Sequence, residues 1–118
     1  MLTLFEQALV VHLIGDWILQ NDWMSENKPN LKHPAAWIHG LIHFVLITIV
    51  LGWVAGLALG FLHMMIDTRR PFLWWRKVFR MTSAGETATH VAIWTDQVLH
   101  VLCLAMWIQF VAPLNLGL

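Results

Sequence analysis

Charge is what this sequence most lacks: Asp, Glu, Lys and Arg make up 12% of its 118 residues, against ~25% in an ordinary soluble domain. Hydrophobic residues make up 58%, and the mean hydropathy is +0.64. A water-soluble fold this small cannot hide so much apolar surface. That excludes a nucleic-acid binder, a disordered tail and an ordinary cytosolic enzyme, and leaves a small integral membrane protein. Cysteine is nearly absent, and Cys103 alone cannot form an intramolecular disulfide. Seven basic and seven acidic side chains cancel, so no whole-chain attraction to a charged partner is expected. The opening Met1-Leu-Thr-Leu-Phe-Glu6 lacks the basic start of a signal peptide, and the first apolar segment is therefore expected to stay as a spanning helix. With no fixed-period repeat and no low-complexity tract, residues 1–118 read as one domain.

Four apolar stretches, about 4–20, 35–52, 55–69 and 88–112, predict an all-α membrane bundle of four helices running up-down-up-down. All seven Lys and Arg residues fall in two connectors, 21–34 and 69–89. A single helix over 35–69 would reach about 50 Å, well beyond a bilayer core. Gly52, Gly56 and Gly60 surround Trp53 and favour a tight hairpin of two short helices instead. Their spacing also suits a small-residue seat, either inside that hairpin or in a homo-oligomer. With four spans both basic connectors face the cytoplasm and both termini lie outside. The segment Phe72-Leu-Trp-Trp-Arg-Lys-Val-Phe-Arg80 mixes aromatics and cations as an interfacial helix does. A solvated loop is the alternative there. Ser83 and Glu86 have the spacing of a capping box that would open the last helix. Trp23, Trp37, Trp53, Trp74 and Trp75 fall at expected helix ends, where interfacial anchors belong.

Against this apolar background stand eight polar residues in four pairs, each pair four residues apart: His12/Asp16, His39/His43, His63/Asp67 and Asp96/His100. Ionisable groups inside spanning helices are costly and rare, and a separation of four puts both members of a pair on one helix face. The expected topology sorts them by depth into two layers. His12, His43, His63 and His100 lie deeper, and Asp16, His39, Asp67 and Asp96 lie nearer the cytoplasm. Carboxylates and imidazoles in a low-dielectric interior need compensation. One or two divalent transition metals would supply it, with zinc favoured over manganese and iron for mixed His and Asp donors. A lone intramembrane histidine also serves as an interhelical hydrogen-bond partner, and His–Asp pairs serve as proton relays. Four pairs in register weigh toward metal.

The motifs His12-x-x-Gly15-Asp16-x-x-Leu19-Gln20, Asp22-Trp23-Met24 with Lys28, His39-x-x-x-His43, His63-x-x-x-Asp67 and Asp96-Gln97-x-x-His100 resemble those of domain-of-unknown-function family 3307. The resemblance covers nearly the whole chain; 71–95 carries no matching motif. It implies a small bacterial or phage protein of the inner, or host-cell, membrane, and no established activity. The HxxxD pairs are also similar to those of membrane-bound metal-dependent hydrolases, and distantly to zinc phospholipase C and nuclease sites.

A metal pair at the cytoplasmic mouth lowers the pKa of a coordinated water toward neutrality and polarises a phosphoryl or carbonyl oxygen. Asp96 or Asp16 would then act as general base. Gln20, Gln97 and His39 would orient ligands or water. Lys28, Arg69 and Arg70 stand where a phosphate would arrive from the interface, whereas Arg76, Lys77 and Arg80 read as topology determinants. The reaction expected is hydrolysis of a phosphoester, a lipid or a nucleotide. A metal or proton pathway is the second reading, weakened by the apolar stretches 45–51 and 102–108. A metal that only pins the fold is a third. A haem on paired histidines ranks last, because three aspartates suit it poorly.

Overall fold

Thr3 opens the first helix by a reciprocal cap: its Oγ1 accepts from the Glu6 N–H at 3.1 Å, and its own N–H donates to Glu6 Oε2 at 2.7 Å. From there the computed structural model, which describes residues 1–82 and 84–114, is helical almost throughout and has no strand among those residues. Helix α1 (Leu4–Leu13) runs into a π-helical turn (Ile14–Ile18), followed by α2 (Asp22–Asn27), α3 (Pro34–Leu51), α4 (Trp53–Asp67), α5 (Arg70–Phe79) and α6 (Gly85–Met106). A second π turn (Trp107–Val111) and a 3-10 turn (Ala112–Leu114) carry α6 on.

Local chemistry sets the boundaries. The connector 21–34 holds a helix that its polar composition concealed, α2, capped by Asn21 Oδ1 accepting from the Met24 N–H at 2.9 Å. Pro34 begins α3, where a missing N–H costs nothing. A single residue, Gly52, separates α3 from α4, at φ 92 and ψ 166, a conformation that suits glycine. The basic, aromatic segment is helical as α5, entered and left through left-handed residues, Arg69 and Arg80. Ala84 stands before α6 and forms no side-chain cap; Ser83, the expected capping residue, lies outside the described residues.

Helix α1 packs on α3 and α6, and α4 packs on the same two, so the four helices close around a shared interior. Helix α2 lies against α3, and α5 links α4 to α6. Of the four expected spans, two are long and apolar enough to cross a membrane: Pro34–Leu51 and Gly85–Leu114. The other two are shorter. Stretch 4–20 loses its α-helical run after Leu13, and α4 has 15 residues between Gly52 and Thr68.

The interior is unlike a soluble core. Eleven buried hydrophobic residues are matched by seven buried ionisable ones. Ala8, Ile47, Ala55, Leu59 and Leu104 cluster where α3 turns into α4, backed by Val50, Leu51 and Ile108. The ionisable groups share the rest with Met24, Ala35, Ala36, Met64, Ile66 and Phe72.

Helix α3 meets α4 closely because Gly56 faces Thr48 Oγ1 and the Phe44 carbonyl, so the small-residue seat serves the hairpin. A Cβ at Gly56 would collide with that hydroxyl and lie 2.9 Å from the Phe44 carbonyl, whereas at Gly60 it would meet Phe44 at 3.6 Å, an ordinary contact. Gly56→Ala should therefore lower stability by about 1–3 kcal/mol. Gly60→Ala should leave it unchanged or raise it by up to about 1 kcal/mol. Unfolding of the two variants in detergent checks the contrast.

Candidate metal centre

The four side-chain pairs project inward from α1 and its π turn, α3, α4 and α6. His12, Asp16, His39, His43, His63, Asp67 and His100 are all buried, at 3% exposure or less. Taking seven such groups out of water costs several kcal/mol for each that is charged, so their contacts have to compensate one another.

Asp16 is the centre of the first constellation, on a π turn of the kind that often marks functional positions. Its Oδ1 lies 3.1 Å from His39 Nε2, 3.0 Å from His43 Nε2 and 3.4 Å from His63 Nε2. His39 Nε2 is in turn 3.1 Å from His63 Nε2. Four donors around one tetrahedral cation, with bonds near 2.0–2.1 Å, sit about 3.3 Å from each other. The separations match that edge. His43 reaches Asp16 because residue 15 is glycine: a Cβ there would lie 2.7 Å from His43 Nε2. The other oxygen, Asp16 Oδ2, is 3.4 Å from His12 Nε2 and accepts from Gln97 Nε2 at 3.0 Å. Gln97 Oε1 lies 3.0 Å from His12 Nε2, so this amide orients both members of the first pair.

Asp67 is the second carboxylate. Its Oδ2 lies 3.0 Å from His63 Nε2 and 3.3 Å from His39 Nε2, and its Oδ1 lies 3.5 Å from His100 Nε2 and 3.4 Å from Lys28 Nζ. None of these contacts has hydrogen-bond geometry; both Asp67 oxygens and His100 Nε2 are buried without a hydrogen-bond partner. Donor atoms this close that do not hydrogen-bond one another are available to a shared ion. His100 adds a detail: its Nδ1–H donates to the Asp96 carbonyl at 2.7 Å. In the neutral ring that leaves Nε2 as a bare lone pair, the usual preparation of a metal-ligating histidine. His39 and His43 have no partner on Nδ1 and are held by ring packing, with His43 stacked on His63 at 3.6 Å.

Among the described residues, three buried groups could hold a metal ion, the donor atoms in each lying within 4.8 Å of one another: Asp16 with His39, His43 and His63; His12 with Asp16 and His100; and His63 with Asp67 and His100. Asp16 is shared by the first two groups: His12 approaches its Oδ2, and His39, His43 and His63 approach its Oδ1. Asp96 belongs to none of the three. Its side chain is 25% exposed, and its Oδ2 accepts from Gln97 Nε2 at 3.4 Å.

A cavity of about 610 Å³ opens above the carboxylates, lined by Asp16, Asp67 and Asp96 and by the cations Lys28, Arg69 and Arg76. Both basic connectors therefore meet at one end of the molecule. Gln20 and Gln97 also line it; Gln20 donates to the Asp16 carbonyl at 2.9 Å rather than to the carboxylate. Arg70 is exposed and is not part of the lining, whereas Arg76 is, with its guanidinium 5.2 Å from the centre of the Phe72 ring. The spacing of seven between Arg69 and Arg76, two helical turns, was the available signal for that pairing. On the opposite side His12, His63 and His100 abut Ile47, Leu59 and Leu104 around a void of only about 10 Å³. Gly15→Ala should drive the His43 ring off Asp16 and weaken metal binding at least about tenfold. A chelator-competition titration, with helical circular dichroism as a fold control, measures this.

No curated protein and no solved structure shows significant similarity to the chain. The family model described as "Protein of unknown function (DUF3307)" matches residues 4–117, and with the match running through all four side-chain pairs the chain belongs to that family.

Proposed function

We propose that this protein is a membrane-embedded, metal-dependent hydrolase acting on a phosphoester at the cytoplasmic membrane interface. The observation that carries the reading is the floor of the cavity. Asp16 and Asp67, each grouped with buried imidazoles that could hold a metal ion, line the same cavity as Lys28, Arg69 and Arg76.

Membrane residence and the four-helix bundle draw support from where the apolar side chains point. Only 33% of the Pro34–Leu51 window and 11% of the Gly85–Leu114 window is buried, whereas the core helix of a soluble protein faces inward. Leu73, Trp74, Trp75, Val78 and Phe79 on α5 are all exposed beside Arg76 and Lys77, as an interfacial helix requires. The positive-inside rule places that end in the cytoplasm.

One or two divalent ions, with zinc favoured by the N and O donor set, would be held by Asp16, His39, His43 and His63, and by His63, Asp67 and His100 or His12, Asp16 and His100. Such ions make a coordinated water acidic and polarise a phosphoryl oxygen. The protein's own groups do the rest. Asp96, outside the donor groups yet on the cavity floor, is placed to take the proton of the attacking water. Gln97 fixes Asp16 and Asp96 together. Lys28, Arg69 and Arg76 neutralise the phosphate oxygens and favour the charge that develops on them. The apolar plug of Ile47, Leu59 and Leu104 beneath the histidines speaks against a through-path for ions.

Elemental analysis of detergent-purified protein tests the metal. One or two equivalents of a transition metal are expected in the wild type, and loss of metal in the His63→Ala, Asp67→Ala variant. Metal-free wild-type protein that remains folded would overturn the reading. For catalysis, Asp96→Asn should keep its metal and lose about 10²–10⁴-fold in phosphoester turnover, the usual contribution of a general base. Unchanged turnover would remove Asp96 from the reaction.

A further inference from the structure

The cavity that holds the carboxylates has a rim of two characters. Trp17 and Ile93 line it and are themselves 60% and 41% exposed, so they stand at its edge with apolar surface facing outward. Of the cations that line the same cavity, Arg69 is exposed and Arg76 half-buried. Arg69 sits in a left-handed conformation, φ 64, where α4 hands over to α5. A side chain other than glycine or asparagine seldom adopts that conformation, and such residues gather at functional sites.

Between these two rims α6 offers small residues: Gly85, Ala88 and Ala92 follow one another along its face down to Asp96. The floor is not self-satisfied, because Asp67 points into the same space with 2% exposure and neither oxygen hydrogen-bonded. A cavity whose lining joins the buried carboxylates of Asp16 and Asp67, three cations and the apolar Trp17, Ala88, Ala92 and Ile93 matches a ligand that is itself two-sided.

We propose that the cavity takes the phosphate head of an amphiphile. The head is held by Lys28, Arg69 and Arg76 over the metal centre, and the hydrocarbon chain lies along Ala88 and Ala92 and leaves between Trp17 and Ile93. This rests on the phosphoester reading for its head group and adds what carries the phosphate. A small soluble phosphate shares the cationic contacts but leaves the α6 groove empty. An amphiphile fills both, and burial of each methylene adds to its affinity.

The test reads binding rather than turnover, with uncleavable probes: methylphosphonate and dodecylphosphonate titrated calorimetrically into the metal-loaded full chain in maltoside detergent. Dodecylphosphonate should bind at least about tenfold more tightly than methylphosphonate. Ala92→Phe, which fills the groove, should erase that gap with metal content unchanged. Because the gap is compared within one detergent, partition of the probe into micelles cancels between wild type and variant. Ala92→Leu, a smaller block, serves should the Phe variant fail to fold. Arg69→Gln with Arg76→Gln should weaken both probes about tenfold or more, as loss of charge-assisted bonds does.

Equal affinity for the two probes, or a gap that survives in the Ala92 variants, overturns the proposal in favour of a soluble phosphate. Tight, groove-dependent dodecylphosphonate binding without turnover of any phosphoester supports the amphiphile site and removes the hydrolase reading alone.

Discussion

Two aspartates placed among imidazoles, away from water, set the terms for everything else in this molecule. A buried carboxylate without a partner is among the least tolerable groups in a protein interior. Asp16 and Asp67 share His39 and His63 between them within 3.4 Å, so neither carboxylate is independent of the other. Those two histidines come from α3 and α4, and the two aspartates from the π turn after α1 and the end of α4. The helices are thereby fixed at the heights where their donor atoms meet. The glycines at 15 and 56 are consequences of that demand. Each removes a Cβ that would hold a ring or a backbone away, from His43 in one case and from Phe44 and Thr48 in the other.

The candidate site was largely legible in the sequence because each pair is local: a spacing of four names a helix face whatever the tertiary structure, and an ionisable group in an apolar run is hard to overlook. The grouping of His12, His43, His63 and His100 needed only alternate helix directions, and in the structure the His12 ring lies 5.1–5.4 Å from the other three rings. What could not be read depends on tertiary contact or on subtle backbone choice. Lys28 meets Asp67 only because α2 folds back on α3. The π turn that carries Asp16 has no composition to betray it. Asp96 shares its spacing with His100 yet stands apart from the donor groups, since its side chain leans into the cavity while the backbone carbonyl serves His100. The fold was legible in class and less so in lengths. Helix α2 follows from Asn21, whose capping role composition does not reveal, and α1 is short because it passes into the π turn at Ile14; the short α4 agrees with the hairpin expected at Gly52.

Helix α5 ties these features together. Its start at Arg69 and its Arg76 close one wall of the cavity, and its aromatic face stays uncovered. The same helix thus presents Phe72 and Arg76 inward and Leu73, Trp74, Trp75, Val78 and Phe79 outward, which couples the position of the cavity wall to whatever surface receives the outer face.

The apolar plug formed by Ala8, Ile47, Leu59 and Leu104 has a bioenergetic consequence. Ionisable chains at depth in a membrane ordinarily invite leakage, because a line of protonatable groups conducts. Here the line stops: His12, His63 and His100 meet Ile47, Leu59 and Leu104 around a void of about 10 Å³, barely room for one water. Were the molecule set across an energised membrane, such a plug would let it keep a charged centre open to one side without conducting protons to the other.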